Sequence, residues 1–217
     1  APTITRSGYT IIGYNTSASS TSNNTSYNTS SKVLTLTSSN NNSTWYAITS
    51  KGVTITFDKN GASAIGSTSG SCTMYNTSTS CNVTSPSITA ASGFGVVGYN
   101  TSSSATTSAW NHNTAKAVSS NATYYAITKS SSAYTASFNA NGATSVGSTS
   151  LSCYRYNGGT SCSITAPAIT RSGFTITGWG ENSSATTAAV AVGESISLSG
   201  NKSYYAITSK KITVTYS

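Results

Sequence analysis

The side chains that could carry acid–base chemistry in this chain are few and scattered. Its 217 residues include three carboxylates, Asp58, Glu181 and Glu194, and one histidine, His112. A general base needs an orienting partner, and glycoside hydrolysis needs two carboxyl groups at one site. The chain has no Gly-x-Ser-x-Gly nucleophile elbow, and its carboxylates are too few for a calcium site. We therefore expect no catalytic residue, no cofactor and no metal site, and hence no enzyme.

The four cysteines are the other chemically reactive residues, and their spacing predicts disulfides. Eight residues separate Cys72 from Cys81, and eight separate Cys153 from Cys162. Zinc is disfavoured because the chain has one histidine and no Cys-x-x-Cys spacing. Each disulfide would close a short hairpin, worth about 2 to 3 kcal/mol in the chain-entropy model. Such bonds require an oxidising, extracellular compartment.

The elements that must position these residues repeat along the chain. Residues 45–50 read Trp-Tyr-Ala-Ile-Thr-Ser, and similar phrases return 79 and then 80 residues further on. Repetition at this length indicates tandem modules. The alignment predicts the second half of a repeat unit at 1–50, complete units at 51–131 and 132–210, and the first strand of a following unit at 211–217.

Two explanations are open for a sequence that starts in the middle of one repeat unit and stops after the first strand of another. The first, which we favour, is that the sequence is an excerpt from a longer array. The second is that residues 212–216 complete the half unit of a neighbouring molecule by strand addition. The half unit has no cysteine hairpin of its own, which argues against the second explanation.

Composition and patterning predict a mainly β fold, arranged as an elongated tandem repeat. Runs such as residues 53–57 alternate a branched or aromatic residue with threonine, which is typical of strands. Asn-Gly pairs at 60–61 and 141–142 predict tight turns. The sequence allows a short helix, one per unit, only at 185–192 and around 105–117. No segment has the length and apolarity of a transmembrane helix or a signal peptide.

A set of residues recurs in the same order in each copy. In the last unit the set consists of Phe138, Asn141, Gly142, Pro167, Arg171, Gly173, Phe174, Gly178, Trp179, Tyr205 and Ala206. This order resembles the internalin B-repeat, also called the Listeria-Bacteroides repeat, over both complete units and the opening half unit. The resemblance implies β-grasp-like modules in tandem on bacterial surface proteins, serving as stalks or adhesive segments. The matching residues resemble turn and core positions, so the resemblance assigns no functional site.

Repeated aromatic and arginine residues are the candidate ligand contacts. Tyr14, Tyr99 and Trp179 occupy equivalent positions, as do Arg6 and Arg171. Exposed aromatic rings at regular intervals could stack on sugars, so that many weak sites act together. The alternative, which we favour, is that the rings fill the module cores. For the arginines we favour a local role, such as covering an aromatic ring, over a shared binding site.

The net charge of +8 does not by itself predict a nucleic-acid site. The eleven basic residues are scattered along the chain, whereas nucleic-acid modules gather lysine and arginine on one face. A loose attraction to anionic polymers is the most that this charge supports.

The sequence therefore predicts a non-enzymatic extracellular array that forms a cell-surface stalk or a secreted filament. The alternative is an adhesive or carbohydrate-binding array that uses the repeated aromatic residues. The expected partners are the chain's own kind, as neighbouring repeats or as copies in a filament, or the rest of a longer surface protein. Glycans are the partners in the adhesive alternative, and no specific nucleic acid is expected.

Overall fold

The computed structural model describes residues 1–216, and its regular elements are all β-strands. The first eleven are β1 (Thr10–Asn15), β2 (Tyr27–Asn28), β3 (Val33–Leu34), β4 (Tyr46–Asp58), β5 (Ala64–Ile65), β6 (Ser69–Tyr75), β7 (Cys81–Thr84), β8 (Ile88–Thr89), β9 (Phe94–Asn100), β10 (Ala115–Val118) and β11 (Ala122–Ser130). The others are β12 (Tyr134–Asn139), β13 (Ser145–Val146), β14 (Ser150–Cys153), β15 (Cys162–Thr165), β16 (Ile169–Thr170), β17 (Thr175–Gly180), β18 (Ser195–Leu198) and β19 (Lys202–Ser209).

These strands are divided between two compact units. The first comprises Ala1–Lys59, Ala64–Ile88 and Gly98–Ala126, and the second comprises Asn60–Ser63, Thr89–Val97 and the described residues from Ile127 onward. The larger sheet has the strand order β1-β4-β11-β9, with β6 also paired to β4. A second sheet has the order β14-β12-β19-β17.

In the first unit, β4 is a single 13-residue strand with three partners. Its beginning, residues 46–50, pairs antiparallel with β1, and residues 50–56 pair antiparallel with β6. Residues 55–58 pair with β11 in a parallel ladder. The strand therefore closes the opening half unit and begins the next unit without a turn between them.

The alternation of residues along β4 explains its burial. Val53, Ile55 and Phe57 are at most 2% exposed, while Thr54 and Thr56 between them face solvent. Successive side chains of a strand point to opposite faces of the sheet. Threonine suits the solvent face because its branched side chain favours the extended backbone without adding charge.

The second unit contains a complete repeat and its core. Its first strand β12 and last strand β19 lie side by side and parallel at the centre, with Phe138 opposite Tyr204. β14 pairs antiparallel with β12, and β17 with β19. The rings of Phe138 and Tyr204 stack with centroids 5.6 Å apart, and Trp179 meets Phe138 edge-on at 4.8 Å. This mixed sheet, repeated along the chain, confirms the expected mainly β fold.

The short helix that the sequence allowed in each unit is not formed within the described residues. Residues 105–114 and 185–194 are turns and irregular chain. Each stretch is fixed instead by an isolated bridge, Trp110 to Tyr99 and Val190 to Trp179. Threonine and serine favour local alternatives to the helical hydrogen bond, and the bridges satisfy the backbone at the sheet edge. The helix expectation was therefore wrong.

Both cysteine pairs form disulfides that tie neighbouring strands together. Cys72 in β6 is bonded to Cys81 in β7, and Cys153 in β14 is bonded to Cys162 in β15. In both bonds the Cα atoms are 5.9 Å apart. We call the disulfide-closed segment from the first cysteine to the second the hairpin of each repeat; its strands are paired with other strands, β6 with β4, β7 with β10, β14 with β12 and β15 with β18.

The predicted first strand at 211–217 is only partly within the described residues. Ser217 lies outside them, and residues 210–216 belong to no strand. Ile212, Val214 and Tyr216 are 79%, 65% and 91% exposed. The unit boundaries themselves stay a prediction.

A glycine bulge aims the aromatic residue of each unit into the core. Gly178 in β17 has φ of 136°, and the register shifts between Ile176 and Gly178. A Cβ atom at Gly178 would lie 2.5 Å from the carbonyl oxygen of Val190. Both the backbone conformation and the close approach therefore require glycine, and the bulge places Trp179 on the buried face.

Gly178→Ala should lower the free energy of unfolding by about 2 to 4 kcal/mol, because it combines a strained φ with a backbone collision. Urea unfolding followed by tryptophan fluorescence measures the change. Gly200→Ala is the matched control, since a Cβ there meets no atom within 4 Å and its effect should be near zero. Equal stability of the Gly178→Ala variant and the parent chain would contradict the role assigned to the bulge.

Candidate functional site

Three of the four residues with acid–base potential make separate local contacts in this structure. His112 Nδ1 lies 3.1 Å from Nδ2 of its neighbour Asn113. Glu181 forms an exposed salt bridge with Lys202 at 2.8 Å, and Glu194 accepts a turn hydrogen bond from the Ala191 N–H. Among the described residues, no group of three or more histidine, cysteine or acidic side chains could hold a metal ion.

The equivalent aromatic residues lie in the core. Tyr14 is 7% exposed, and Tyr99 and Trp179 are 0% exposed. Tyr14 donates its hydroxyl hydrogen to the Pro2 carbonyl at 2.8 Å, and Trp179 Nε1 donates to the Pro167 carbonyl at 2.9 Å. In this structure the rings offer no face to a sugar. Their role as ligand contacts stays a prediction, and their burial argues against it.

Tyr99 differs from its two equivalents because its buried hydroxyl has no hydrogen-bond partner among the described residues. Burial raises the pKa of Tyr99 to about 12. A tyrosine in an unfolded chain has a pKa of about 10. The folded state therefore favours the neutral phenol, and the stability that this preference supports is full below about pH 10 and lost as the pH rises toward 12.

Tyr99→Phe should leave stability at neutral pH nearly unchanged, because no hydrogen bond is lost. At about pH 11 the variant should be more stable than the parent chain by about 1 kcal/mol, since one pKa unit corresponds to about 1.4 kcal/mol. Urea unfolding at both pH values measures the difference. Tyr46→Phe, at a ring that is 41% exposed, is the control. If both variants behave alike at high pH, Tyr99 is not the titrating group.

The most regular polar arrangement in the structure is a contact between an asparagine and a threonine, which we call a clasp. In the first clasp, Asn76 at the tip of the Cys72–Cys81 hairpin faces Thr49 in β4. The Thr49 N–H donates to Asn76 Oδ1 at 3.1 Å, and the Asn76 N–H donates to the Thr49 carbonyl at 2.9 Å. Asn76 is held at φ of 51°, a conformation that asparagine tolerates better than most residues.

The other end of the Asn76 side chain anchors a neighbouring loop. Its Nδ2 donates to the carbonyl oxygens of Ala18 and Ser20, both at 2.9 Å. The side-chain amide thus uses both of its polar atoms, because Oδ1 accepts from Thr49 while Nδ2 donates to the loop. The hairpin of one repeat is thereby bonded to a strand and a loop of the preceding half unit.

Arg6 completes the first clasp. Its Nη1 donates to Thr49 Oγ1 at 2.8 Å and also to the main-chain oxygen of Asn76. Its guanidinium carbon lies 3.5 Å from the centre of the Tyr9 ring, which is a cation–π arrangement. The arginine thus takes the local role expected from the sequence: it covers an aromatic ring and caps a buried hydroxyl.

The second clasp has the same backbone geometry and lacks this arginine. The Thr128 N–H donates to Asn157 Oδ1 at 3.1 Å, and the Asn157 N–H donates to the Thr128 carbonyl at 2.9 Å. Ala91 occupies the position equivalent to Arg6. The Thr128 hydroxyl is buried without a hydrogen-bond partner among the described residues.

The arginine of the second clasp comes from the hairpin itself. The Arg155 guanidinium carbon lies 5.2 Å from the centre of the Phe94 ring and 4.5 Å from that of Tyr134. The Ser130 N–H donates to the Arg155 carbonyl oxygen at 2.8 Å, and the Arg155 N–H donates to Ser130 Oγ at 3.1 Å. Each clasp therefore contains one arginine over an aromatic ring. In the first clasp the arginine belongs to the unit that carries the threonine, and in the second it belongs to the hairpin that carries the asparagine.

A family model for the Listeria-Bacteroides repeat domain matches residues 54–127 and residues 134–207. This chain belongs to the Listeria-Bacteroides repeat family. The two matches are consecutive and cover most of the chain. Neither the curated proteins nor the solved structures gave a match.

The Listeria-Bacteroides repeat family is a family of structural repeat domains of bacterial surface proteins and is not known for enzymatic activity. Together with the two disulfides, it indicates an extracellular location. No helix among the described residues is both long enough and apolar enough to cross a membrane.

Sequence reasoning missed the clasps, although one signal was present. Asn76 and Asn157 both follow a tyrosine, four residues after the first cysteine of each hairpin. In a Listeria-Bacteroides repeat so rich in asparagine, this position does not stand out by residue type. The invariant spacing from a cysteine is the feature that could have identified it.

Replacing the threonine hydroxyl by a methyl group should change the free energy of unfolding differently at the two clasps. Thr49→Val removes the acceptor of Arg6 Nη1 and should cost about 1 to 2 kcal/mol of unfolding free energy, because a bond to a charged group is lost. Thr128→Val removes a buried hydroxyl without a partner and should be neutral or stabilising.

Urea denaturation of both variants, followed by circular dichroism, measures this difference. The two substitutions are chemically identical and lie at equivalent clasps, so each is the control for the other. Equal losses of stability in both variants would show that the hydroxyl of the threonine, and not its arginine partner, accounts for the effect.

Proposed function

We propose that the chain is a load-bearing segment of a bacterial cell-surface stalk or filament. The observation that carries this proposal is the single strand β4, which closes one repeat and begins the next. Tension applied along such a strand is shared by ladders on both sides of the junction. A flexible linker would leave the junction without hydrogen bonds, so the continuous strand favours a mechanical role over loosely tethered modules.

The disulfide hairpins support the same proposal. The Cys72–Cys81 hairpin begins in β6, which pairs with β4 over residues 50–56, and its tip is bonded to Thr49 through Asn76. The covalent bond keeps the hairpin closed while the clasp holds it on the preceding half unit. A disulfide and a clasp recur with Cys153, Cys162 and Asn157. There the clasp threonine lies in β11, whereas the hairpin strand β14 pairs with the separate strand β12.

The composition of the surface suits a passive role outside the cell. Only 6% of the residues are charged, so hydroxyl and amide groups supply most of the polar surface. Such a surface changes little with pH, because few of its groups titrate near neutrality. The eleven basic residues are also scattered along the sequence instead of being gathered in one segment.

The adhesive alternative receives less support from the structure. The aromatic residues at its predicted contact positions, Tyr99 and Trp179, are 0% exposed. Tyr154 is 42% exposed, with Lys129 Nζ 3.7 Å from its ring centre. The equivalent residue in the preceding unit is Thr73. A repeated exposed ring, which avidity along an array would need, is therefore not formed at these positions.

Single-molecule stretching of the chain tests the load-bearing proposal. We expect distinct unfolding events, and a lower unfolding force for Asn76→Ala, because this change removes the side-chain bonds of the first clasp. Each disulfide joins residues nine apart with Cα atoms 5.9 Å apart, so reduction should add about 25 Å per hairpin at about 3.4 Å per residue.

Asn42→Ala, at an exposed asparagine outside the clasps, is the matched control and should not change the force. Smooth extension without unfolding events, or equal forces for the parent chain and Asn76→Ala, would contradict a load-bearing role. Binding of the chain to an array of immobilised glycans would favour the adhesive alternative instead.

A further inference from the structure

The second unit carries another arginine–threonine pair, the second in the chain, with the geometry of the first clasp. Arg171 Nη1 donates to Thr208 Oγ1 at 2.8 Å, the distance also found between Arg6 and Thr49. The Arg171 guanidinium carbon lies 3.6 Å from the centre of the Phe174 ring. Within residues 1–216, no asparagine hairpin is bonded to Thr208.

Thr49, Thr128 and Thr208 are equivalent, and the two that are bonded to a hairpin are the more deeply buried. Thr49 is 4% exposed and Thr128 is 0% exposed, and each is covered by its clasp. Thr208 is only half-buried. Thr208 and Arg171 thus form the threonine and arginine part of a clasp, and the asparagine hairpin that would cover them is not present among the described residues.

Apolar side chains next to this position are also uncovered. Ile212 and Val214 are 79% and 65% exposed. Val53 and Ile55, which follow Thr49 at the same spacing, are 0% exposed. At Thr49 both the polar pairing and the apolar cover come from the repeat that follows.

We propose that Arg171, Thr208 and Phe174 form a docking site for the asparagine-tipped disulfide hairpin of a repeat unit joined to the chain after Lys210. Both hairpins of this chain already hold a threonine, so a second copy of the chain has no free hairpin to offer. In the first clasp, moreover, the hairpin belongs to the unit that the threonine-bearing strand itself begins. The site does not depend on whether the array bears load.

The same comparison identifies which hairpin fits. Where the receiving unit has Arg6, the hairpin carries a buried methionine, Met74, two residues after its first cysteine. Where the receiving unit has Ala91, the hairpin carries Arg155 at that position. Two guanidinium groups at one clasp would repel each other and compete for one aromatic face. Arg171 therefore selects a hairpin of the Met74 type over one of the Arg155 type.

The test extends the full chain by a complete unit. A second copy of residues 52–131 replaces residues 211–217, so that its hairpin stands at the same sequence distance from Thr208 as Asn76 stands from Thr49. Amide hydrogen exchange, measured by NMR, reports on the Thr208 N–H. We expect its exchange to slow about tenfold or more on extension, toward the rate of the Thr49 N–H.

Three variants of the extended chain define the contact. Asn76→Ala in the appended copy should return Thr208 to the exchange rate of the unextended chain. Met74→Arg in the appended copy should do the same, and adding Arg171→Ala should recover the protection, because one arginine is then left at the clasp. The native disulfide and the core resonances of the appended unit verify that it has folded in each variant.

Two results would overturn the proposal. One is an unchanged Thr208 exchange rate beside a folded appended unit, and the other is protection that survives Asn76→Ala in the appended copy. Protection of Thr208 that appears in the unextended chain as its concentration rises would overturn the assignment of the hairpin to the same polypeptide. The stretching experiment is independent of these outcomes, so a failed docking site and a failed mechanical role are distinguishable.

Discussion

The rest of the structure depends on how the backbone is satisfied where one repeat becomes the next. Where β4 passes from its ladder with β1 to its ladder with β6, its N–H and C=O groups need partners, and such groups are costly when buried without one. At Thr49 and Thr128 these groups are satisfied by an asparagine that offers its main-chain N–H as donor and its side-chain oxygen as acceptor. The asparagine thereby continues the backbone pairing beside it, which is Ser50 with Tyr75 at the first clasp and Lys129 with Tyr156 at the second.

This solution places strict demands on the hairpin that carries the asparagine. The tip must hold a positive φ, which is 51° at Asn76 and 55° at Asn157, and it must stay in register with the receiving strand. The disulfide restricts the hairpin to conformations near that geometry, which reduces the entropy lost when the clasp forms. The disulfide and the clasp therefore act together on the same hairpin, although they involve different residues.

The sequence predicted the repeat, the strands and the cysteine pairing, because each of these leaves a signal in spacing or alternation. Val53, Ile55 and Phe57 alternate with threonine and are buried as the pattern indicates. The short helix that the sequence allowed at 185–192 and around 105–117 does not form within the described residues, where bridges at Trp110 and Val190 hold the chain instead. These bridges are contacts between distant residues, which local propensity does not contain.

The clasps could not be predicted for a related reason. An asparagine acts here through the groups that face it across the fold, and its one local signal is its spacing of four residues from the first cysteine of the hairpin. The arginines carried a partial signal, since Arg6 and Arg171 recur three residues before an aromatic residue. That spacing indicated the ring contact but not the threonine, which lies 43 residues from Arg6 in the sequence.

The placement of arginine also explains how so few charges are accommodated. With three carboxylates for eleven basic residues in the chain, most basic side chains cannot be neutralised by ion pairs such as that of Lys202 with Glu181. Arg6, Arg155 and Arg171 lie instead over aromatic rings, where the ring quadrupole attracts the cation without a counter-ion. Because a ring face holds one guanidinium, a clasp accommodates a single arginine. At the first clasp this arginine, Arg6, comes from the unit that carries the threonine, whereas at the second clasp Arg155 comes from the hairpin. The two junctions therefore differ in which side supplies the arginine.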